Sequence, residues 1–488
     1  MLFNSLAYAV FLPLAVLVYF LLPQRWRWAA LLGFSYYFYM SWNPELIVLI
    51  LFTTVVSWLA ALAVQHAARP GLRKAALWSG VGLCLACLFF FKYFNFFSQN
   101  VTALLQAVGL PLQPTTLELV LPVGISFYTF QTLSYVVDVY RGNLQAEGHF
   151  GYYALYVSFF PQLVAGPIER AGSLLPQLHQ RHDPDLGNFS AGLRKICVGM
   201  FKKVVIADFV STYVNNVYND LAGKGGLTLI LATMLFSVQI YCDFSGYSDI
   251  AVGSARLLGI DLMENFRSPY MARSVRDFWR RWHISLTRWF TDYVYIPLGG
   301  SRCSRGRHLR NLVVTFLLSG LWHGASWTFV LWGLYHGLWL CAETFYLPRV
   351  EALQNRLQGA RAAAFSVLRT MVTCCIVGLG WIFFRANDLS DLVYVLTHLG
   401  QGLSPVHLLA YAGAAGLTPA LLGLAFALMA ALLVYDWYAA YRTDPLRAIC
   451  RARPWQRYAF YYLLCFGVLA ALCSRPFGAT ADFIYFQF

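Results

Sequence analysis

Charge is scarce in this chain: Asp, Glu, Lys and Arg make up 12% of its 488 residues, against about a quarter in ordinary soluble domains. A soluble globule is excluded by that scarcity together with a hydrophobic content of 59%. Acidic residues are the rarer sign, 22 against 36 basic ones. Such an excess marks nucleic-acid or anionic-surface binding when the cations form patches. Here they lie mainly between hydrophobic runs, which argues against nucleic acid and fits cytoplasmic loops of a membrane protein.

Other signals are missing too. No internal repeat, long linker or low-complexity tract is present, which counts against a transporter built from inverted repeats. No Gly-x-Ser-x-Gly elbow surrounds Ser126, Ser245 or Ser326, so a serine-hydrolase reading has little support. The eleven cysteines form no disulfide framework: Cys84, Cys87, Cys341, Cys374, Cys375 and Cys465 all lie in apolar runs, away from an oxidising aqueous compartment. Cys84 and Cys87 make a Cys-x-x-Cys, but a thiolate in a lipid-facing run would be poorly solvated. No metal site is assigned. The first apolar run, 8–22, follows no basic segment and precedes Pro23-Gln24-Arg25-Trp26-Arg27, a poor cleavage site. It is expected to be a retained span and not a signal peptide.

What the chain has in abundance is apolar windows. They lie near 6–22, 28–42, 46–64, 75–93, 118–139, 193–212, 227–245, 310–325, 327–346, 366–385, 419–437 and 457–474. At about 20 residues per crossing, they predict an all-α polytopic protein of roughly 11–13 passages in one domain, 1–488. Arg25, Arg27, Arg69, Arg73, Lys74 and Arg141 follow the first, third and fifth windows, whereas the loops 41–45 and 95–118 carry no Lys or Arg. This alternation places the basic loops inside and the N-terminus outside the cytoplasm.

The segment 267–310 holds ten arginines opposed only by Asp277 and Asp292, and is expected to be cytoplasmic. Within it, Phe278, Trp282, Trp289 and Phe290 among basic flanks predict one amphipathic helix over 275–290, lying in the interface. Residues 152–168 are apolar but broken by Pro161, Gly166 and Pro167. Lipid does not tolerate unsatisfied backbone, so this piece must be buried in protein or re-entrant, and it is read as a re-entrant element.

Of ten histidines, His66, His149, His179, His182 and His308 sit in or beside polar loops. His323 lies inside an apolar passage, where an ionisable group signals function. If that passage enters at Asn311, twelve residues at about 1.5 Å each put His323 roughly 18 Å along the axis, near mid-membrane. Gly320 and Gly324 leave room beside it for a substrate or a neighbouring helix. The imidazole is either a general base for an attacking hydroxyl or polar glue between helices. His283 reads by itself as an interfacial residue on the basic helix, and His336 as a packing or hydrogen-bonding one. Asp243 and Asp249 stand six residues apart near the end of an apolar window. Paired acids suit glycosidase chemistry, but a structural place at a helix terminus fits the intervening small and aromatic residues.

Five strings occur in order: Leu121-Pro122-Val123-Gly124-Ile125-Ser126-Phe127-Tyr128-Thr129-Phe130-Gln131, Phe160-Pro161-Gln162-Leu163-Val164-Ala165-Gly166-Pro167-Ile168, Asp243-Phe244-Ser245-Gly246-Tyr247-Ser248-Asp249, Phe278-Trp279-Arg280-Arg281-Trp282-His283 and Leu321-Trp322-His323-Gly324. Together they resemble the membrane-bound O-acyltransferases, in the bacterial branch that serves alginate acetylation and D-alanyl transfer. The resemblance covers nearly the whole chain, including Met1-Leu2-Phe3-Asn4-Ser5 and Phe483-Ile484-Tyr485-Phe486-Gln487-Phe488. The run Arg281-Trp282-His283-Ile284-Ser285-Leu286-Thr287-Arg288-Trp289-Phe290, with Tyr295-Ile296-Pro297-Leu298-Gly299-Gly300 after it, leans toward the alginate type.

The resemblance implies helices around a thin centre where a funnel and a tunnel meet, with His323 catalytic and His283 its partner position. It further implies a cytoplasmic thioester donor such as acetyl-coenzyme A, drawn by Arg280, Arg281 and Arg288, and no permanently bound cofactor. Expected surroundings are the lipids of the bacterial inner membrane, a periplasmic or membrane-anchored acetyltransferase partner and a polysaccharide synthase or secretion complex. The exported acceptor would be an alginate- or cellulose-type polysaccharide. The alternatives are D-alanyl or peptidoglycan O-acyl transfer and, in another class, a proton-coupled transporter using His323 as relay.

Overall fold

The computed structural model describes residues 1–474 except Pro111 and Ala165, together with Phe483 and Ile484. Tyr485 to Phe488, the end of the C-terminal motif, and Ala165 of the second string lie outside the described residues. Among the described residues every regular element is helical. Two compact units are distinguished, Met1–Ile196 with Ile250–Met263, and Cys197–Asp249 with Glu264–Phe488.

The first unit begins with α1 (Leu6–Leu21), whose opening turn is capped by Ser5, the Tyr8 N–H donating to its Oγ at 3.2 Å in the usual N-cap manner. There follow α2 (Gln24–Met40), α3 (Ile47–His66) and α4 (Pro70–Leu88). Pro70 opens α4, where its missing N–H is no loss. Through the π-helical segment Phe89–Tyr93, α4 continues into α5 (Phe94–Ala107), so that 70–107 is one rod.

The window 118–139 is helical only from its eighth residue, as α6 (Ile125–Arg141). The helix starts late because Gly124 holds φ 76° and lies so close to the next segment that a Cβ there would stand 2.8 Å from the Leu163 carbonyl oxygen. The chain then forms α7 (Phe150–Ser158), α8 (Phe160–Leu163) and α9 (Ala171–His179). The break between α7 and α8 is buried, as the breaker residues required. Tyr153 bonds Ser57 of α3 at 2.7 Å, and the Phe160 N–H donates to Ser35 of α2 at 3.1 Å.

Helix α10 (Leu186–Met200) is followed by the π-helical segment Phe201–Ala207 and α11 (Asp208–Tyr218). Helix α12 (Gly226–Leu257), part of the second unit as far as Asp249, runs on past the Asp243 to Asp249 motif. The expected helix terminus is therefore corrected: both carboxylates sit within the helix. Lysines meet both of them there. Lys203 reaches Asp243 at 2.6 Å and Asp208 at 2.8 Å, and Lys202 reaches Asp249 at 2.7 Å. The wide π turn sets these adjacent lysines side by side and buried. The other oxygen of Asp243 accepts the Ile484 N–H at 2.7 Å.

The single amphipathic helix expected over 275–290 is also corrected. It is two helices, α13 (Val275–Arg281) and α14 (Ile284–Phe290), broken at Trp282 and His283. Phe278, Trp282, Trp289 and Phe290 are buried in protein and do not serve as interfacial anchors. Then α15 (Arg305–His323) and α16 (Trp327–Arg356) form a close hairpin. Cβ atoms on Gly320 and Gly333 would stand 2.2 and 2.3 Å from the carbonyl oxygens of Phe329 and Phe316. The room beside Gly320 and Gly324 is thus filled by α16, the neighbouring-helix alternative.

The remaining helices are α17 (Gly359–Arg385), α18 (Leu389–His398), α19 (Pro405–Ala414), α20 (Pro419–Tyr441), α21 (Pro445–Arg451) and α22 (Pro454–Cys473). By length and composition, six helices among the described residues can cross a membrane: Pro44–His66, Pro70–Ala107, Gly226–Leu257, Gly359–Arg385, Pro419–Tyr441 and Pro454–Cys473. The other apolar windows coincide with helices that are shorter or more polar; α15, for instance, begins with Arg305, Arg307, His308 and Arg310.

Candidate functional site

His323 is the last residue of α15, so the helical continuity from Asn311 is present. The helix stops there because Gly324 turns extended, with φ −162°. The imidazole is 5% exposed and is held by rings from three helices. Trp322 of α15 and Trp332 of α16 each lie 5.0 Å from it at 82°, and Phe384 of α17 lies 5.2 Å away at 72°. Edge-to-face packing of this kind fixes a ring's plane.

His283 occupies the break between α13 and α14 with φ 42° and ψ 55°. A left-handed conformation is unusual for a residue with a Cβ, and costs about 1–3 kcal/mol unless its surroundings impose it. They do. The Arg267 N–H donates to the Arg281 carbonyl and the Ile284 N–H to the Asn265 carbonyl, at 3.0 and 2.9 Å. The Asn265 side chain accepts from the Ser285 N–H and Oγ–H at 3.2 and 2.7 Å. Segment 265–267 thereby clamps the chain on both sides of His283.

The imidazole so aimed is 1% exposed, which corrects its reading as an interfacial residue. It lies 4.6 Å from Phe244 and 6.0 Å from Trp322. Burial pushes its pKa down to about 3, so it is neutral in the physiological range. Trp322 touches both His283 and His323, and the structure brings the two histidines singled out in the sequence to one indole.

The three arginines proposed for the donor differ. Arg280 and Arg288 are exposed, while Arg281 pairs with Asp277 at 2.8 Å. Sequence reasoning passed over Trp332, Phe384, Asn265 and Glu343. Glu343 is 1% exposed on α16 and takes the first N–H groups of α13, from Val275 at 2.6 Å and Arg276 at 2.8 Å. A carboxylate at a helix N-terminus is favoured by the helix dipole, and this one fastens the helix that leads to His283. Its isolation in an apolar window was the only signal.

Comparisons with known proteins agree on one kind of enzyme. The model of the MBOAT, membrane-bound O-acyltransferase family, matches residues 148–383. The chain is 35% identical to a probable alginate O-acetylase AlgI of Pseudomonas putida, over 98% of each chain. It is 35% identical to a peptidoglycan O-acetyltransferase of Helicobacter pylori over 84% of this chain and 82% of that one. To a teichoic acid D-alanyltransferase of Bacillus subtilis it is 27% identical, over 46% of this chain and 59% of the other.

Proposed function

This chain belongs to the membrane-bound O-acyltransferase family of multi-pass membrane acyltransferases, and on that premise we propose that it moves an acetyl group across the bacterial inner membrane to O-acetylate an exported polysaccharide of alginate or cellulose type. The donor is cytoplasmic acetyl-coenzyme A. A periplasmic or membrane-anchored acetyltransferase partner receives the group, beside the polysaccharide synthase or secretion complex. Support for an acetyl rather than a D-alanyl cargo comes from the greater identity and coverage of the acetylating relatives. The likeness to the peptidoglycan O-acetyltransferase favours peptidoglycan as the second acceptor to test.

One observation carries the chemistry: a buried imidazole, His323, at a helix end, oriented by three aromatic rings and sharing Trp322 with a second buried imidazole, His283. His323 takes the proton of the acceptor hydroxyl as its oxygen attacks the acyl carbon. The new C–O bond forms, the C–S bond breaks, and the imidazolium returns its proton to the leaving thiolate. His283, held neutral, is a positioning partner for His323. Arg280 and Arg288, exposed on a segment read as cytoplasmic, draw the phosphates of the donor.

The test is transfer of labelled acetyl from acetyl-coenzyme A to polysaccharide, in membranes containing the partner proteins. Loss of a positioned base costs about 10²–10⁴-fold in rate, so His323→Ala is expected to abolish transfer while inserting and melting like the parent. Normal acetylation by the variant, or its failure to fold, would end the assignment. Counterflow of a solute into proteoliposomes without any acyl donor would point to the transporter instead.

A further inference from the structure

Behind the ring of Trp332 that faces His323 lies a second cluster. Trp279 of α13 and Trp332 and His336 of α16 pack against one another. The centroids of Trp279 and His336 are 4.9 Å apart, those of Trp332 and His336 5.0 Å, and those of Trp279 and Trp332 5.4 Å. His336 is fully buried and the two indoles nearly so. Among the described residues, neither indole N–H nor either nitrogen of His336 has a hydrogen-bond partner.

Buried donors are rarely left unsatisfied in native proteins, and each such case calls for an explanation. In a membrane protein's interior, bulk water is not at hand to supply one. An indole N–H only donates, and a neutral imidazole donates once and accepts once. A cluster so made lacks acceptors more than donors. Its walls are aromatic and uncharged, with Phe316 5.3 Å from Trp279 and Tyr335 5.2 Å from His336, which disfavours a charged ligand.

The cluster is also rigid. Glu343, on the same helix as Trp332 and His336, holds the first turn of the helix that carries Trp279. Behind His336, α17 closes in: a Cβ on Gly380 would stand 2.6 Å from Nε2. Of the three, Trp332 borders His323 directly, so a neutral acceptor brought to His323 meets the edge of this cluster, and the thioester carbonyl is the acceptor group that the reaction brings there.

We propose that Trp279, Trp332 and His336 form a binding site for the acyl carbonyl oxygen of the donor thioester, donating hydrogen bonds to it beside His323. The inference rests on the reading of His323 as the base and of a thioester as the donor. His336, thirteen residues beyond His323 in the sequence, becomes a substrate-binding residue. The same donors strengthen their hold as negative charge gathers on that oxygen during attack.

Two analogues separate this site from the broader donor reading. Acetonyl-coenzyme A keeps a carbonyl, and S-propyl-coenzyme A replaces it with a methylene. Binding of each to the purified protein is measured by calorimetry. The ketone is expected to bind about 10-fold more tightly, the worth of a good hydrogen bond set. Trp332→Phe and His336→Leu are expected to erase that preference while leaving the S-propyl affinity unchanged, and His336→Gln, which keeps an N–H, to retain part of it. Equal affinity of the two analogues for the unaltered protein would overturn the carbonyl site and spare the donor reading. A preference that survives in both Trp332→Phe and His336→Leu would overturn it as well. Binding of neither analogue would overturn both readings.

Discussion

The imidazole of His283 and the indole of Trp322 lie with centroids 6.0 Å apart at 65°, and Trp322 immediately precedes His323. Two histidines from separate sequence motifs are thus read by one ring, and displacement of either is felt by the other through it. The backbone strain at His283 is the means by which the first imidazole reaches that ring.

A test of His283 must therefore separate strain from chemistry. His283→Ala would leave a Cβ at φ 42°, whereas His283→Gly accepts that conformation freely. His283→Gly is expected to melt within a few degrees of the parent yet transfer acetyl at about one-hundredth the rate, the lower end of what a positioned acid–base group contributes. Melting temperature and initial rate measured on the same preparation check this. Full activity in the glycine variant would leave His283 with a purely structural place.

Glu343 is expected to matter for turnover more than for donor binding, because it holds α13 and not the donor itself. Glu343→Gln keeps one acceptor and sets an N–H₂ against a backbone N–H. A shift of about an ångström in a catalytic element can cost on the order of 10²-fold. The expected outcome is a fall in kcat with KM for the donor within about threefold, an order-of-magnitude allowance for uniform binding left intact. A rise in KM alone would contradict the assigned role.

The α15–α16 hairpin gives a steric test. Gly320→Ala places its Cβ 2.2 Å from the Phe329 carbonyl oxygen, and backbone cannot swing aside as a side chain can. Overpacking of this sort costs about 1–3 kcal/mol and displaces the end of α15 that bears His323. Gly378→Ala on α17, with nothing within 4 Å of the new atom, serves as the matched control. Thermal melting in detergent should drop for the first and hold for the second.

Removing the charge of Lys203 strands two buried carboxylates at once. Lys203→Met is expected to destabilise the second unit by about 3–5 kcal/mol, the usual consequence of breaking a buried pair from one side. The double variant Lys203→Met with Asp243→Asn should recover part of the loss. A single variant as stable as the parent would mean that the network is not held charged.

Much of this architecture is legible in the sequence, and its limits have physical causes. Apart from 118–124, the apolar windows fall on helices, since length and hydropathy act locally. His323 is legible because an ionisable residue in an apolar run is conspicuous. The break at Trp282 and His283 is not legible, because it is imposed by Asn265 and Arg267 from another segment. The aromatic pattern of 275–290 suits a lipid interface as well as a buried cluster, and only the neighbours decide between them. Asp243 and Asp249 look terminal in a window of apolar residues until Lys202 and Lys203 are set against them. Glu343 carries no local mark of the helix it caps.

The bond from the Ile484 N–H to Asp243 has a consequence in time. Asp243 precedes Ile484 by 241 residues in the chain, so during synthesis the carboxylate beside Lys203 passes a long interval with one oxygen uncommitted. A contact between residues so far apart in sequence closes late, because the entropy of closing the loop must be met before the pairing rewards it.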